Sequence, residues 1–394
     1  MMQSLSTSGV FQPAEAAATP DTPAGGVVRV VTYNVLSPTL AAPPYFPFCN
    51  PDDLVPDVRL ERVKRKLLSE IERGAILCLQ EVSRSWTGNL HAFFVQHQYS
   101  MIVAPYGSKF NDYMGVAIAF PLSGPVELVE AHLDRLSDTK SWGQVGQRPP
   151  KKELAWFMDV PFLSRGFRAI QALGRELSRD PNASSKTVKK PSWDVARNRF
   201  NVMICARFRF KSEEAQTIYR KRSREFLLAT YHMPCVFWDQ SVMAIHTALA
   251  CENAMTRAAG APYILAGDFN LKPSDPMYNL ITLGQLPSNF VLEQPENTAN
   301  GEKENAPFDV RVSRPMMSVY AVLNGREPDF TNNARIKDQD PFVETLDYIF
   351  ASHSDWKVHG VHELPERAHI KGPYPDATEP SDHLLLAADL ELIR

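Results

Sequence analysis

Apolar and polar positions alternate along the chain in short runs that polar segments separate. These runs are rich in β-branched and aromatic residues, which favours β-strands. The predicted strands are residues 27–35, 75–80, 114–120, 202–210, 226–231, 263–266, 345–350 and 384–392. Within residues 202–210, every second side chain from Ile204 to Phe210 is apolar, which is typical of a half-exposed strand.

Two longer stretches show helical spacing. One starts after Pro56 and runs to about Arg73, and the other spans roughly residues 240–259. Both carry apolar side chains on one face, and Gly74 and Gly260 stand where C-terminal stops belong. Strands that alternate with helices in one chain predict an α/β or α+β fold, with two sheets packed face to face and helices outside.

One domain is expected to cover residues 28–394. It follows a tail at residues 1–27 that is rich in small residues, lacks Lys and Arg, and is predicted to be disordered. Two polar stretches, residues 137–194 and 287–309, are predicted insertions in this domain. Residues 156–177, inside the first insertion, have the pattern of an amphipathic helix.

Composition narrows the class of protein only slightly. Hydrophobic residues make up 44% and charged residues 22% of 394 residues, as in ordinary globular proteins. The net charge of −3 gives no indication that the protein binds nucleic acid. It does not exclude such binding, because one basic groove would be enough for it. The five cysteines include no C-x-x-C pair, which favours a reducing compartment. We expect a cytoplasmic protein, with a nuclear pool left open, and no membrane segment, because no apolar run is long enough.

Polar residues follow the predicted strands at the point where each one ends. They are Asn34, Glu81, His232, Asp268 with Asn270, and His383 just before the last strand. Loops at strand ends converge on one rim of a layered α/β fold, where sites tend to lie. We therefore expect these side chains to meet.

Asp347 differs because it falls inside the apolar run at residues 345–350. A buried carboxylate is costly without a partner. An imidazole is the expected partner, so we predict a hydrogen bond between Asp347 and His383. Such a pair fixes the tautomer of the histidine and raises its basicity.

A carboxylate with amide and water oxygens suits Mg²⁺, and Glu81 helped by Asn34 is the best candidate. Either Asp268 or His383 could deprotonate a water, while Asn270, His232 and the metal could stabilise the charge of a phosphoryl transition state. Alone, Glu81 also fits a carboxylate at a helix N-terminus, so the interpretation depends on the joint order of the motifs.

Taken together, the motifs resemble the endonuclease/exonuclease/phosphatase superfamily over about residues 28–392. They are Thr32-Tyr33-Asn34, Leu79-Gln80-Glu81, Thr230-Tyr231-His232, Gly267-Asp268-Phe269-Asn270, Leu346-Asp347-Tyr348 and Ser381-Asp382-His383. Residues 30–37, 115–118, 318–320, 325–332 and 345–350 are similar to the branch of carbon catabolite repressor deadenylases, nocturnin, Angel proteins and 2′-phosphodiesterase. The resemblance implies a four-layered sandwich of two packed mixed β-sheets flanked by helices.

For the metal, the resemblance implies Mg²⁺, with Mn²⁺ as a substitute. Glu81 would be the principal ligand, with Asn34 nearby. Asp382 would lie behind the ligands or hold a second ion. The number of metal ions stays open, since one-metal and two-metal schemes use the same residues.

For catalysis, the resemblance implies that Asp268 and Asn270 orient the attacking water and the phosphate. His232 would contact the scissile phosphate, and His383 with Asp347 would be the acid–base pair. No Cys or Ser nucleophile with a paired base is evident, so direct attack by water is the simpler mechanism.

For the substrate, the resemblance implies that Asn201 contacts its backbone. Phe342 matches an aromatic that stacks on adenine in the deadenylases, and Phe237 lies where they carry proline. A core role for either Phe is equally open. Base stacking would stabilise the complex by about 1–3 kcal/mol.

The expected activity is a Mg²⁺-dependent 3′→5′ exoribonuclease that prefers single-stranded 3′ poly(A) and releases 5′-AMP. The alternatives are action on a small nucleotide, on 2′,5′-oligoadenylate or on a 2′,3′-cyclic phosphate RNA end. A catalytically dead RNA-binding domain is disfavoured because every motif position is filled. No leucine-rich repeat precedes the first strand, which leaves the adaptor-binding mode of the largest deadenylases in doubt.

Overall fold

The computed structural model describes residues 26–140, 142, 191–211, 224–293 and 310–393. Most of the predicted tail, the predicted helix at residues 156–177 and most of both predicted insertions lie outside the described residues. Within the described part of the chain, no helix combines the length and the apolar character needed to cross a membrane.

Two six-stranded sheets form the centre of the fold. The first has the order β13-β14-β1-β2-β4-β3 and the second the order β5-β6-β7-β8-β12-β9. Their strands are β1 (Val27–Asn34), β2 (Ile76–Val82), β3 (Tyr99–Pro105), β4 (Gly115–Pro121), β5 (Val126–Arg135), β6 (Val202–Phe210), β7 (Glu225–His232), β8 (Tyr263–Asp268), β9 (Met316–Ser318), β12 (Asp347–Ser352), β13 (Trp356–Val361) and β14 (Leu386–Leu392). A small two-stranded sheet pairs β10 (Asn332–Ala334) with β11 (Phe342–Glu344).

Both large sheets are mixed. β1 runs parallel to β2, and β7 runs parallel to β8, whereas the other pairs are antiparallel. The carboxyl ends of parallel neighbours lie at the same edge of a sheet. The pairing of Asn34 with Gln80, and of His232 with Asp268, therefore brings the polar strand ends together within each sheet.

The inner faces of the two sheets pack on each other, with Val30, Cys78 and Ile118 of the first against Ile204, Leu228 and Ile264 of the second in one buried cluster. On the outer face of the first sheet lie α1 (Pro56–Ile71) and α2 (Arg84–Gln96). On the outer face of the second lie α3 (Ser192–Arg197), α4 (Gln240–Ala258) and α5 (Pro276–Leu283). The short helix α6 (Val319–Asn324) packs instead with the cluster between the sheets. The predicted four-layered sandwich of two mixed sheets is confirmed.

Helix α1 begins at Pro56, whose ring fixes a helical φ and whose missing N–H costs nothing there. It is followed by Gly74 with φ +70°, a left-handed conformation that suits glycine. The apolar face of α1 packs with α2 on the first sheet. At α4, the Asp239 side chain accepts a hydrogen bond from Val242 N at 3.2 Å and so caps the helix.

Two expectations from the sequence need correction. Met203 and Cys205 are buried because they pack with α4, so β6 is half-exposed only from Arg207 onward. Asp347 is the first residue of β12, not an interior one, and it pairs with Asp268 on β8.

His246 on α4 joins three elements in the core. Its Nε2 lies 3.0 Å from the carbonyl oxygen of Ala196, which can only accept, so Nε2 carries the proton. The Tyr231 hydroxyl then donates to Nδ1 at 3.0 Å. Burial lowers the pKa of His246 from 6.5 to about 4.

We expect His246→Gln to lessen the acid sensitivity of folding. As the pH falls below 6.5, His246 becomes protonated in the unfolded chain. In the native protein His246 stays neutral until about pH 4, because its pKa is lowered. The free energy of unfolding therefore falls by about 3 kcal/mol through this residue. Urea titrations between about pH 7 and pH 4 should show the wild type losing that much more than the variant. A constant difference, or the same change for the exposed His91→Gln, would contradict this account.

Candidate active site

The amide of Asn34 links the two sheets at the rim. Its Nδ2 donates to Asp268 Oδ2 at 3.0 Å and lies 3.3 Å from Glu81 Oε1. Its oxygen accepts from Leu36 N at 3.0 Å, which fixes the orientation of the amide. All of these side chains are buried. The strand ends of both sheets therefore meet, as the sequence predicts.

The backbone around the site is strained. Glu81 has φ +59° and Asn270 has φ +49°, a left-handed region that costs side chains other than glycine roughly 1–3 kcal/mol. Glu81 also lies where the register of β2 with β4 shifts between Leu79 and Val82. Such a bulge re-aims a side chain, and here the Glu81 carboxylate points toward Asn34.

Gly267 allows β8 to approach β7 closely. A Cβ at this position would lie 1.9 Å from the carbonyl oxygen of Tyr231, and φ is +159°. Only glycine avoids that contact. The approach places His232 opposite Asp268, with His232 Nε2 3.4 Å from Asp268 Oδ2.

The predicted hydrogen bond between Asp347 and His383 is present, with His383 Nδ1 2.8 Å from Asp347 Oδ2. Thr331 Oγ1 donates to the same carboxylate oxygen at 2.6 Å. Nε2 of His383 faces Asp268 Oδ2 at 3.7 Å. The two groups are therefore held in one orientation, with the free ring nitrogen directed into the site.

Charge at the rim is dominated by carboxylates. Burial raises the pKa values of Asp347 and Asp382. For His383, burial favours the neutral form, but the carboxylates of Asp347, Asp268 and Asp382 raise its pKa well above the ordinary value. The carboxylates thus favour a positive charge at this place.

The donor set fits a divalent cation that prefers oxygen. Ligand atoms of Asp268, Asp347 and His383 lie within 4.8 Å of one another. Among the described residues, no group hydrogen-bonds the buried atoms Asp347 Oδ1 and Asp382 Oδ1. The Asp382 carboxylate also senses the charge of Glu81. Buried acceptors without donors are rare and call for an ion or water.

Asn34 and Asn201 make hydrogen bonds that the sequence did not predict. The Asn34 nitrogen donates toward the carboxylates of Glu81 and Asp268 and holds them together, so Asn34 lies near the predicted metal position. Asn201 Nδ2 donates to the backbone oxygen of His232 at 2.8 Å and so supports the end of β7.

Asn270 closes the loop after β8. Its backbone N donates to Asp268 Oδ1 at 2.9 Å, and its Nδ2 donates to Met233 O at 3.0 Å. These bonds join the loops that follow β7 and β8, so Asn270 lies beside the Asp268 carboxylate.

Arg59 lies behind the site and was missed from the sequence. Its buried guanidinium donates to Val35 O, Leu36 O and Pro380 O at 2.6–2.8 Å. Burial lowers its pKa to about 10, and the nearby Asp382 and Glu81 counteract that shift. The sequence did contain an indication that Arg59 is buried, because it lies four residues before Val63 and so on the apolar face of α1.

Tyr106 was also missed. Its hydroxyl lies 2.6 Å from His232 Nδ1. Burial raises the pKa of the Tyr106 phenol well above its usual value, and the Glu81 and Asp268 carboxylates add to this shift. The phenol therefore stays protonated, and a phenol can donate or accept a hydrogen bond. Nε2 of His232 faces the Asp268 carboxylate, which only accepts, so we assign the ring proton to Nε2 and the donated hydrogen bond at Nδ1 to the phenol. Nothing in the loop sequence signals this role.

The two predicted stacking residues are exposed. The side chain of Phe342 is 44% exposed and that of Phe237 69%. Phe237 also contacts Trp238, which is 67% exposed, at 5.2 Å between ring centroids. A core role for these aromatics is therefore excluded.

The chain is similar to several known proteins. A model of the Endonuclease/Exonuclease/phosphatase family matches residues 252–383. Carbon catabolite repressor protein 4 homolog 4 of Arabidopsis thaliana is 38% identical over 134 residues, which are 33% of this chain and 27% of the relative. The 2′,5′-phosphodiesterase 12 of Mus musculus is 23% identical over 384 residues, covering 92% of this chain and 52% of the relative. The chain thus spans about half or less of the length of these curated relatives.

Among solved structures, ANGEL2, described as a 2′,3′-cyclic phosphatase in complex with adenosine-2′,3′-vanadate, has the same fold. Its TM-score is 0.65 at 16% identity, over 94% of this chain and 97% of that chain. The chain is therefore similar to this family and to its carbon catabolite repressor and 2′,5′-phosphodiesterase relatives, as predicted, and it shares the fold of ANGEL2. The description of this family, which names endonucleases, exonucleases and phosphatases, agrees with the predicted class of enzyme.

In the Tyr106→Phe variant, His232 should no longer be restricted to one tautomer. In the wild type, long-range proton–nitrogen NMR spectra of labelled histidine should show His232 with an unprotonated Nδ1 and a protonated Nε2. In the variant, the second tautomer should appear, because the donor to Nδ1 is gone. Tyr99→Phe is the matched control, since Tyr99 donates to Ile71 O, outside the site. The same spectrum for Tyr106→Phe and wild type would refute the assignment.

Proposed function

We propose that this chain is a Mg²⁺-dependent hydrolase of RNA phosphodiesters, a 3′→5′ exoribonuclease that prefers poly(A) and releases 5′-AMP. The observation that carries the proposal is the joining of Glu81 and Asp268 through Asn34, beside the Asp347–His383 pair, at one rim. Carboxylates that surround an imidazole form a site for phosphoryl transfer to water.

Glu81 would be the principal ligand of the cation, with Asp382 behind it. When bound, Mg²⁺ supplies positive charge that offsets the negative charge of a phosphoryl transition state. Its preference for oxygen ligands fits the carboxylates at the rim, and Mn²⁺ would substitute. The free oxygen atoms of Asp347 and Asp382 support a cation there.

The protein side chains divide the remaining work. Asp268, which accepts from Asn34 and Asn270, would orient the attacking water and take its proton. His232, with its proton on Nε2, would donate a hydrogen bond to the scissile phosphate. His383, oriented by Asp347, would protonate the leaving oxygen.

The preference for adenine rests on Phe342. Phe342 pairs with Ala334, at the end of the small strand β10 whose first residue, Asn332, bridges to His383. An exposed aromatic ring near the acid–base pair can stack on the base of the nucleotide that is removed. Phe237 would contact the same or the neighbouring base.

A second candidate is hydrolysis of 2′,5′-linked oligoadenylate. The relative described as 2′,5′-phosphodiesterase 12 aligns with 92% of this chain, much more than the carbon catabolite repressor relative does. The two substrates share adenine and differ in which ribose oxygen bears the phosphate. The same residues would therefore serve both.

Hydrolysis of 5′-labelled 20-nucleotide oligo(A), oligo(U) and 2′,5′-oligo(A) separates these candidates. We expect a ladder that shortens from the 3′ end, forms faster on 3′,5′-oligo(A) than on oligo(U), and disappears in EDTA. Added Mg²⁺ should restore it. Faster cleavage of the 2′,5′-linked chain would favour the second candidate, and cleavage that persists in EDTA would refute the metal requirement.

Glu81→Gln should lower kcat/KM by about 100-fold or more, because it removes the charge of the proposed principal ligand. The fold should persist, as measured by circular dichroism and the thermal midpoint. The control is Glu61→Gln, since Glu61 is exposed on α1 and should leave the rate unchanged. A folded Glu81→Gln protein with wild-type activity would overturn the proposed site.

A further inference from the structure

A groove lies beside the rim, where the edges of the two sheets meet. It has a volume of about 890 Å³, at the upper end of the range for ligand sites. Its walls are the end of β3, the start of α2, the end of β5 and the start of β6. Tyr106 lines the groove and is also the hydrogen-bond partner of His232, so the groove opens onto the proposed active site.

The lining of the groove is basic and aromatic. Arg84 lies over the ring of Tyr113, with 5.7 Å from Cζ to the ring centroid, and Arg135 lies over Phe200 at 4.6 Å. No acidic residue is among those that line the described part of the groove. Outside the lining, Asp138 Oδ1 lies 3.5 Å from Arg135 Nη1, and Asp112 interacts with the charge of Arg84. Each arginine therefore has one carboxylate neighbour and still presents its cationic side chain to the groove. Arginines beside exposed aromatic rings suit an anionic chain that carries flat bases.

The pair of Arg135 and Phe200 is held in place by a backbone hydrogen bond. Arg135 Nε donates to Arg199 O at 2.9 Å, which fixes the guanidinium against one face of Phe200. The Phe200 side chain is still 64% exposed. Its neighbour Asn201 donates to His232 O at 2.8 Å. The exposed ring is thus tied through one residue to the histidine proposed to contact the phosphate.

The groove and Phe342 lie on opposite sides of the rim. In the order of the sheets, β3 and β5–β6 lie to one side of β1, β2, β7 and β8, which carry the site. Phe342 belongs to the small sheet that bridges to His383, beside β12 and β14 on the other side. A substrate that places one base at Phe342 must extend across the rim toward the groove.

We infer that the groove between β3 and β6 holds further nucleotides of a single-stranded polynucleotide. Arg84 contacts a backbone phosphate, and the outer face of Phe200 stacks on a base. The inference rests on the proposed function and deepens it, because it makes a polynucleotide, not a mononucleotide, the substrate for which the site is shaped.

Binding and turnover as functions of chain length test this. Fluorescence anisotropy in EDTA would measure the affinity of labelled oligo(A) of 2, 4, 8 and 12 nucleotides, which needs no catalysis. We expect tighter binding with length in the wild type. Phe200→Ala should weaken binding of the 12-nucleotide chain by about 5- to 100-fold, the effect of losing one stacked base. Arg84→Ala should reduce the slope of log affinity against log salt by about 0.7, the effect of losing one phosphate contact.

The matched controls are Arg65→Ala on α1 and Leu122→Ala in the turn after β4, both exposed and away from the groove. They should bind like the wild type. The loss of kcat/KM in Phe200→Ala should also grow with substrate length. Equal binding by Phe200→Ala, Arg84→Ala and the wild type would contradict the inference that the groove holds further nucleotides. A wild-type affinity that does not depend on chain length would contradict it as well. Metal-dependent cleavage of a dinucleotide would in that case leave the proposed function standing.

Discussion

The structure depends on holding several buried carboxylates together at one rim. Glu81, Asp268, Asp347 and Asp382 are each at most 8% exposed. Negative charges that are buried close together repel strongly, and removing each carboxylate from water costs free energy. The amide of Asn34, the hydroxyl of Thr331 and the imidazole of His383 offset part of this cost. The remaining deficit of positive charge is the reason that we propose a cation site at the rim.

The fold meets this constraint by making the site where two sheets share an edge. Asn34 comes from the first sheet and Asp268 from the second, so neither sheet alone would form the site. Arg59 holds the loops after β1 and before β14 from behind. The left-handed backbone at Glu81 and Asn270 is tolerated because packing on both sides fixes it. Part of the favourable free energy of folding thus offsets the strain that positions the side chains of the rim.

Much of this could be predicted from the sequence. The apolar runs that end in polar residues located the rim, and the carboxylate in an apolar run correctly required an imidazole partner. The strand pattern failed where tertiary packing decides burial, as at Cys205 under α4. Helix α2 and strand β3 were missed altogether. Tyr106 escaped notice because a single aromatic residue in a loop has no periodicity. The exposure of Phe342 depends on the short β10–β11 sheet, which local patterns do not reveal.

The site and the groove form one surface of opposite charges. Carboxylates at the rim attract a cation, whereas arginines in the groove attract phosphates. A polynucleotide can satisfy both, since its scissile phosphate would lie at the cation and its neighbours at Arg84. If the substrate is a nucleic acid, as proposed, this separation of charges also accounts for an overall net charge of only −3.

The most direct test of the central claim is calorimetric titration of the protein with Mg²⁺ and Mn²⁺ in the absence of substrate. Our account predicts saturable binding of both ions to the wild type and loss of that binding in Glu81→Gln. Equal binding by the wild type and Glu81→Gln, or no binding by a folded wild type, would contradict the claim that these buried carboxylates form a cation site.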